Sequence, residues 1–235
     1  ERYGQPTWFG LGDRDLATHI VRTARLRAGE RLTDITGGLV RALGVTAVLL
    51  PMTDERVATQ VRTTDGWLDF QDYFVRRGHR DEVAEVRFTG AEAARPTPEA
   101  LAALATAGLV VIAPSNPFVS VAPILAVPGM LAAAAGSAAP VVAVSPLVGG
   151  AALRGPADRL LRSLGHDRGA AGVARHYASR YAGLIDAFVI DDADAAEAGA
   201  VAATGISPLV APAYLRSEDE RRRLARQILE AAGVG

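Results

Sequence analysis

The chain of 235 residues contains no cysteine and no lysine. The absence of cysteine excludes disulfide bridges, thiolate nucleophiles and cysteine-ligated metal centres. The absence of lysine excludes Schiff-base chemistry on lysine, and all 25 basic residues are arginine. Because 26 acidic residues balance them, the net charge of −1 gives no general attraction to nucleic acid or anionic lipid. We therefore expect one cytoplasmic domain over residues 1–235 that binds neither nucleic acid nor membranes.

Charged side chains are also absent from one long segment, which runs from Ala100 to Leu153 without a single Asp, Glu, Arg or His. A membrane span needs roughly 20 consecutive apolar residues, whereas prolines between Pro114 and Pro146 interrupt this segment repeatedly. Two short apolar runs remain, LVVIA at 109–113 and VVAVS at 141–145. Runs of this kind are typical of strands that are buried on both faces of a parallel sheet.

Helix signals surround these two strands. Thr97, Pro98 and Glu99 form a helix start that predicts a helix ending at Gly108. Short helices over 120–127 and 128–135 would connect the strands, which predicts a right-handed α/β unit. Ligands of such sheets bind at the carboxyl ends of the strands, where PSNP (114–117) and SPLVGG (145–150) follow.

The flanking sequence predicts further elements around this unit. Asp65-Gly66 is a strong hairpin signal, with arms at 57–63 and 67–75, and we expect Trp67, Phe70, Tyr73 and Phe74 to form the hairpin core. The acidic run 191–200 is typical of a surface loop. The remaining expectations are helices at 13–28, from a Thr33 cap to Leu43, at 157–165, 169–181 and 217–232, and strands at 47–50 and 184–190.

The segment GDRDLATH at 12–19 places two carboxylates, an arginine and a histidine at the start of a helix. Asp13 and Asp15 either cap the helix and complement its dipole, or meet a hydroxyl group or a metal ion while Arg14 meets an anion. His19, one turn after Asp15, is either an acid–base group or a structural histidine. The residues alone leave these alternatives open.

The segments PSNP and SPLVGG offer polar groups without charge. PSNP can offer a ligand the hydroxyl of Ser115, the amide of Asn116 and backbone N–H groups. The alternative is a rigid turn with Asn116 as a helix cap. In SPLVGG the glycine pair permits close backbone approach, and Arg154 follows either as a phosphate ligand or as an ordinary surface residue. P-loop, GxGxxG, HExxH and GxSxG motifs are absent from the sequence.

Several segments in order closely resemble the 2-phospho-L-lactate transferases of the CofD/FbiA family, which build coenzyme F-420. They are WFGLGDRDLATHIVRT, MTDERVATQVRT, FQDYFV, VVIAPSNPFVSVAPILAVPGM and VSPLVGGAALRGPAD, and the resemblance covers nearly the whole chain. It implies a Rossmann-like α/β fold with a mainly parallel sheet, flanking helices and an antiparallel hairpin excursion. It also implies a homodimer.

The activity implied by the resemblance is a Mg²⁺-dependent transfer. The ribityl hydroxyl of the deazaflavin Fo would attack a guanosine-diphospho-linked lactate or enolpyruvate, and GMP would leave. The arginine-rich, lysine-free sequence resembles the actinobacterial branch, for which the enolpyruvate donor is expected. The alternative is a non-catalytic regulator of the YvcK type, which binds nucleotide sugars.

The resemblance also implies roles for individual residues. Family members carry an N-terminal glycine-rich strand-turn-helix, which this chain lacks, so we expect an incomplete domain that misses its first strand, holds few of the metal ligands and is inactive alone. Many relatives carry Lys at the position of Ala151 and His at that of Gln60, and we expect Arg154 to replace the lysine. The implied sites are catalytic Asp13 and Asp15; Gly12, Arg14, Thr18 and His19 on the Fo side; and Ser115, Asn116, Pro117, Ser120, Ser145, Pro146, Gly149 and Arg154 for the nucleotide and diphosphate.

Overall fold

The computed structural model describes residue 4, residues 7–153 and residues 155–234. Two helices come first, α1 (Asp13–Arg27) and α2 (Leu32–Ala42). An antiparallel sheet follows, in which β1 (Ala58–Thr63) lies between β2 (Gly66–Asp69) and β3 (Glu85–Thr89). This sheet is the predicted excursion from the main fold.

The main sheet is parallel throughout, and its strands lie in the order β4 (Val110–Ile112), β5 (Val141–Val144), β8 (Ala187–Ile190) and β9 (Ser207–Val210). Its strands are connected by helices that lie beside the sheet, which confirms the α/β class with a mainly parallel sheet and flanking helices. The elements are α3 (Pro98–Ala105), β4 (Val110–Ile112), α4 (Ala122–Leu125), α5 (Met130–Ala135), β5 (Val141–Val144), β6 (Leu147–Val148), β7 (Ala151–Ala152), α6 (Ala157–Ser163), α7 (Gly169–Arg180), β8 (Ala187–Ile190), α8 (Ala198–Ala202), β9 (Ser207–Val210) and α9 (Glu218–Ala231).

The two faces of this sheet pack into separate apolar clusters. Ala143 and Phe188 point to the face covered by α6 and α7, whereas Val144 and Val189 meet Leu224 of α9 on the other face. Every residue of β5 is buried. A strand buried on both faces cannot hold charged side chains without partners, which explains why β5 lies inside the charge-free segment.

Several expectations are confirmed in detail. The Thr97 hydroxyl caps α3 by accepting the Ala100 N–H, and β4 pairs with β5 in parallel. The hairpin turns at Gly66, whose positive φ of 97° favours glycine. None of the described helices combines the length and the apolar character that crossing a bilayer requires.

Two expectations near the N-terminus are wrong. Residues 47–50 form no strand, and Val48 and Leu49 are exposed, because no strand among the described residues pairs with them and a lone strand is unstable. Thr33 is not the cap of α2, which begins at Leu32. Instead, Asp54 accepts both the N–H and the hydroxyl of Thr33 at 2.8 Å, so the capping group comes from a distant part of the chain.

Three further differences concern elements that position the cavity described below. The second hairpin arm ends at Asp69, and Asp72–Arg76 forms a helical turn instead of strand. The acidic run 191–200 is not a surface loop: it forms a 3₁₀ turn (Asp192–Glu197) and the start of α8, because Asp191 and Asp194 are buried acceptors of backbone N–H groups. Strands β3 and β9 were not predicted, and β9 carries Pro208 at the sheet edge, where a missing N–H is tolerated.

Candidate active site

A cavity of about 890 Å³ lies at the carboxyl ends of β4, β5 and β9. This edge is where open parallel sheets bind their ligands. Both PSNP and SPLVGG contribute to it, as the sequence predicts. The residues that line it are Phe70, Phe74, Pro114, Asn116, Val119, Ser120, Ser145, Pro146, Val148, Leu153, Gly155, Pro156, Ala157, Ala213, Tyr214, Leu215, Arg216 and Arg221.

Asn116 both shapes the cavity and faces it. Its Oδ1 accepts the N–H groups of Phe118 at 2.9 Å and Val119 at 3.3 Å, so it caps the helical turn Pro117–Val121. Its Nδ2 is buried and makes no hydrogen bond within the described residues. A buried amide donor without a partner is costly, so Nδ2 is a candidate ligand donor, and the two readings of Asn116 are compatible.

The turn after β5 is held from within. The buried Ser145 hydroxyl donates to Leu147 O and accepts its N–H, both at 3.1 Å. Gly149 and Gly150 adopt positive φ angles of 60° and 74° in the tight β6–β7 hairpin. The Gly149 N–H donates to Asp194 Oδ2 at 2.9 Å. The Ser145 hydroxyl and the Gly149 N–H, which the sequence suggested as ligand contacts, therefore stabilise the turn itself.

Asp194 is buried beneath this hairpin. Burial raises the pKa of its carboxyl group, while the N–H groups of Gly149 and Gly150 oppose that rise. The carboxylate thus fixes the hairpin without entering the cavity lining.

An aromatic wall closes one side of the cavity. The rings of Phe70 and Phe74 stack at 5.4 Å between centroids and 16° between planes. They reach the cavity because the chain turns helical after β2, which brings residues four apart to one side. The sequence predicted both residues in the hairpin core, because FQDYFV was interpreted as a strand, whereas in the structure it turns helical.

The segment between β9 and α9 forms another wall, which sequence analysis missed altogether. Buried Asp191, at the end of β8, accepts the N–H of Ala213 at 2.7 Å and of Tyr214 at 3.2 Å. The guanidinium of Arg216 lies 4.8 Å from the centre of the Tyr214 ring. The only available signal was a short apolar run before APAYLR, which ends a strand in the same way as PSNP does.

The residues predicted on α1 do not line this cavity. Asp13 and Asp15 are exposed in the first turn of α1, and Gly12 precedes the helix as its N-cap residue. Thr18 donates its hydroxyl proton to Arg14 O at 2.9 Å, and His19 Nδ1 contacts Arg22 at 2.7 Å. Their Fo-side and catalytic roles remain predictions.

The remaining predicted residues are distributed unevenly. Ser120 and Pro146 line the cavity, whereas Ser115 lines a neighbouring apolar cavity of about 440 Å³ and Pro117 is buried. Arg154 lies outside the described residues. Gln60 and Ala151, the positions at which the resemblance implied His and Lys, are in β1 and β7; the Gln60 side chain bonds to Asp69, Arg87 and Thr89, and neither residue lines the cavity.

The described residues do not fit Mg²⁺ as a set. Magnesium binds chiefly through carboxylate and phosphate oxygens and water, yet the cavity lining given by the described residues contains no carboxylate. Across the same residues, no group of three or more histidine, aspartate or glutamate side chains is placed to hold a metal ion.

The cavity combines a neutral polar floor, a stacked aromatic wall and arginine side chains. Amide and hydroxyl groups suit hydrogen bonds to a neutral or anionic ligand, aromatic rings suit a flat ring system, and guanidinium groups suit phosphate. Its volume falls in the range of small-molecule and cofactor sites. The arrangement can therefore hold a phosphorylated ligand with a planar ring.

A protein-family model and similar sequences point in the same direction. The model described as 2-phospho-L-lactate transferase CofD matches residues 2–216. A phosphoenolpyruvate transferase of Streptomyces griseus subsp. griseus is 45% identical over 231 residues, which cover 97% of this chain and 72% of that protein. One of Mycobacterium tuberculosis (strain H37Rv) is 42% identical over 241 residues, covering 99% of this chain and 71% of that protein.

Solved structures support the fold. Two crystal structures of a Bacillus halodurans protein, one of them described as a member of the UPF0052 family, align with TM-scores of 0.69 and 0.65. They are 18% and 16% identical and cover 94% and 96% of this chain and 72% and 74% of theirs. At this identity, the likeness concerns the fold alone.

Proposed function

The chain belongs to the 2-phospho-L-lactate transferase (CofD) family and is thus a transferase, and from that premise we propose its substrates. It transfers a phosphoenolpyruvyl group from a guanosine-diphospho donor to the ribityl hydroxyl of Fo and releases GMP, within the biosynthesis of coenzyme F-420. The names of the relatives from Streptomyces and Mycobacterium favour enolpyruvate over lactate as the transferred acid.

The observation that carries this proposal is the cavity at the strand ends. Asn116 Nδ2 is an unpartnered buried donor in a residue that lines it, and Phe70 and Phe74 form its stacked wall. A guanine nucleotide needs both kinds of contact, a flat apolar surface for the base and neutral donors for phosphate oxygens. The deazaflavin ring of Fo has the same need for a flat surface.

In the proposed reaction, the oxygen of the ribityl hydroxyl attacks the phosphorus that carries enolpyruvate. A new P–O bond forms, the bond between this phosphorus and the bridging oxygen breaks, and GMP leaves with that oxygen. The hydroxyl proton passes to a base. Phosphoryl transfer depends mainly on positioning and on neutralising charge at the moving group, so the contribution of Asn116 and Ser120 is to hold the donor in line.

For the base we propose Asp13 or Asp15 of α1. Both carboxylates are exposed, and neither forms an ion pair within the described part of the chain. Gly12, Arg14, Thr18 and His19 would meet Fo beside them. Because the described cavity residues offer no carboxylate for Mg²⁺, the requirement for this metal stays a prediction.

A transfer assay tests the function. The protein produced from its full-length gene is incubated with Fo and either the enolpyruvyl or the lactyl guanosine-diphospho donor, and GMP and the phosphodiester are quantified by mass spectrometry. We expect both products, formed faster with the enolpyruvyl donor. Absence of GMP release with both donors, together with thermal stabilisation by UDP-N-acetylglucosamine and not by GDP, would contradict the transferase and favour the nucleotide-sugar regulator.

A further inference from the structure

Two arginines place positive charge on a cavity whose other described lining residues are uncharged. Arg216 lies in the segment after β9 and Arg221 lies in the second turn of α9, and both line the cavity. Neither forms an ion pair within the described residues, whereas Arg222, on the same helix, pairs with Glu218. Two guanidinium groups that form no ion pair among the described residues, beside a described lining that contains no carboxylate, favour the binding of anions.

The segment that carries these arginines is held in place. The buried carboxylate of Asp191 accepts the N–H groups of Ala213 and Tyr214, which fixes the chain at the end of β9. Glu220 accepts the N–H of Arg216 at 2.6 Å and closes a capping box with Ser217 at the start of α9. Both ends of the segment are therefore anchored, and the arginine backbone does not have to be ordered by a ligand.

The side chain of Arg216 is also oriented. Its guanidinium stacks on the Tyr214 ring at 4.8 Å, a cation–π contact that leaves the N–H groups at the edge of the plane free for hydrogen bonds. A planar guanidinium supported in this way suits bidentate contact with phosphate oxygens. Glu220 accepts the backbone N–H groups of Arg216 and Ser217 and forms no ion pair with this guanidinium among the described residues, although those N–H groups and the charge of Arg216 lower the pKa of Glu220.

We propose that Arg216 and Arg221 bind the diphosphate of the donor and stabilise the GMP that leaves, with Tyr214 positioning Arg216. This assignment rests on the proposed function for the identity of the ligand, but the anion site itself rests on the geometry of the segment. It places the phosphate-binding charges after β9, on the other side of the cavity from PSNP. Sequence reasoning placed them at Arg154.

Calorimetric titration of the full-length protein with inorganic pyrophosphate, GDP and guanosine tests this assignment. The variants are R216A, R221A and the double variant. The matched control is R223A, an exposed arginine of α9 that does not line the cavity. Each single variant loses a charged hydrogen bond to the ligand. The affinities for pyrophosphate and for GDP are therefore expected to fall about tenfold, whereas the affinity for guanosine stays unchanged. The R223A control is expected to stay within about twofold of the wild type for all three.

The outcomes separate the anion site from the transferase. If the double variant binds pyrophosphate and GDP as tightly as the wild type, the assignment of these arginines is overturned while transfer activity stands. If the wild type catalyses no transfer but its pyrophosphate affinity depends on both arginines, the proposed function falls and the anion site remains. If the wild type binds no pyrophosphate at all, the anion site is overturned. Equal thermal midpoints of all variants show that the losses are local.

A second pair of variants tests the positioning role of Tyr214. Y214F keeps the aromatic ring beneath the guanidinium, and Y214A removes it. We expect wild-type GDP affinity in Y214F and a loss of severalfold in Y214A, and the loss should vanish when R216A is already present. An equal loss from Y214A with and without Arg216 would contradict a role exerted through that arginine.

Discussion

Asn116 has a capping role and a candidate ligand-binding role, and the two use different atoms of its side chain. Oδ1 caps the helical turn after β4, and Nδ2 is the unpartnered donor of a residue that lines the cavity. The sequence interpretation treated cap and ligand as alternatives, because a sequence does not show which atom points where. In the structure the cap uses Oδ1, so Nδ2 stays available as a candidate ligand donor.

Substitution of Asn116 separates these two functions. Serine keeps an oxygen that can cap the turn but lacks the amide donor. The free energy of unfolding of Asn116→Ser is therefore expected to lie within about 0.5 kcal/mol of the wild-type value, while its transfer rate falls at least tenfold. Asn116→Ala loses the cap as well and is expected to be about 1 kcal/mol less stable. Urea unfolding and GMP release measure the two effects. Wild-type transfer by Asn116→Ser would remove Nδ2 from the site.

His176 makes the stability of the fold depend on pH. The residue is 7% exposed, the centroid of its ring lies 4.5 Å from that of Phe118 and 4.7 Å from that of His166, and neither ring nitrogen has a partner within the described residues. Burial lowers the pKa of His176 to about 4, and the charges of His166 and Arg180 act in the same direction. Burial also lowers the pKa of His166. The folded state therefore binds fewer protons than the unfolded state in weakly acidic solution.

Stability is consequently expected to fall as the pH drops from the ordinary histidine value toward 4. His176 contributes a loss of roughly 3 kcal/mol over that window. His176→Phe removes the titrating group from an aromatic cluster, so its unfolding free energy is expected to vary less with pH than that of the wild type. His166 keeps part of the dependence. His19→Phe, on exposed α1, is the control and should follow the wild-type curve; equal slopes for His176→Phe and wild type would contradict the assignment.

At the scale of elements, the segment between β9 and α9 depends on one buried carboxylate. Asp191 accepts the N–H groups of Ala193, Ala213 and Tyr214, and Asp191→Ala leaves all three without an acceptor. We expect a loss of roughly 2–5 kcal/mol in unfolding free energy, together with weaker GDP binding, because the segment is released from the end of β8. The exposed neighbour Asp192 provides the control in Asp192→Ala. Equal urea midpoints of the two variants would contradict the anchoring role.

The elements that sequence analysis identified are those whose signals are local. The Thr97 cap, the Asp65-Gly66 turn and the charge-free strands β4 and β5 lie where their residues predict them. The cap of α2 was misplaced because Asp54, far along the chain, supplies the acceptor. The acidic run at 191–200 was misread because composition does not reveal that Asp191 and Asp194 bind buried N–H groups.

The same limit applies to the candidate site. Asn116, Ser145 and Pro146 were predicted because they follow strands in a recognisable pattern, Ser120 was implied by the family resemblance, and all four line the cavity. Strand β9 was missed because it is short and carries Pro208, and the arginines beyond it were missed with it. Phe70 and Phe74 were assigned to a strand because a period of two and a helical turn are hard to distinguish over so few residues.

At the scale of the whole molecule, the floor of the cavity and its positive charge come from different parts of the chain, an arrangement that suits an anionic substrate. The segment from Ala100 to Leu153 supplies the buried strands and the neutral floor of the cavity, and it contains no charged side chain. The positive charge among the described lining residues comes from beyond β9, at Arg216 and Arg221. A parallel sheet brings these distant parts of the chain to one edge, where they line the same cavity.

A crystal structure of the full-length protein with bound GDP tests whether this cavity holds the nucleotide. We expect the nucleotide at the carboxyl ends of β4, β5 and β9, with a phosphate oxygen within hydrogen-bonding distance of Asn116 Nδ2 and the diphosphate beside Arg216 and Arg221. The Phe70–Phe74 wall should contact a ring system. A nucleotide bound elsewhere on the molecule, with this cavity filled only by solvent, would contradict the account.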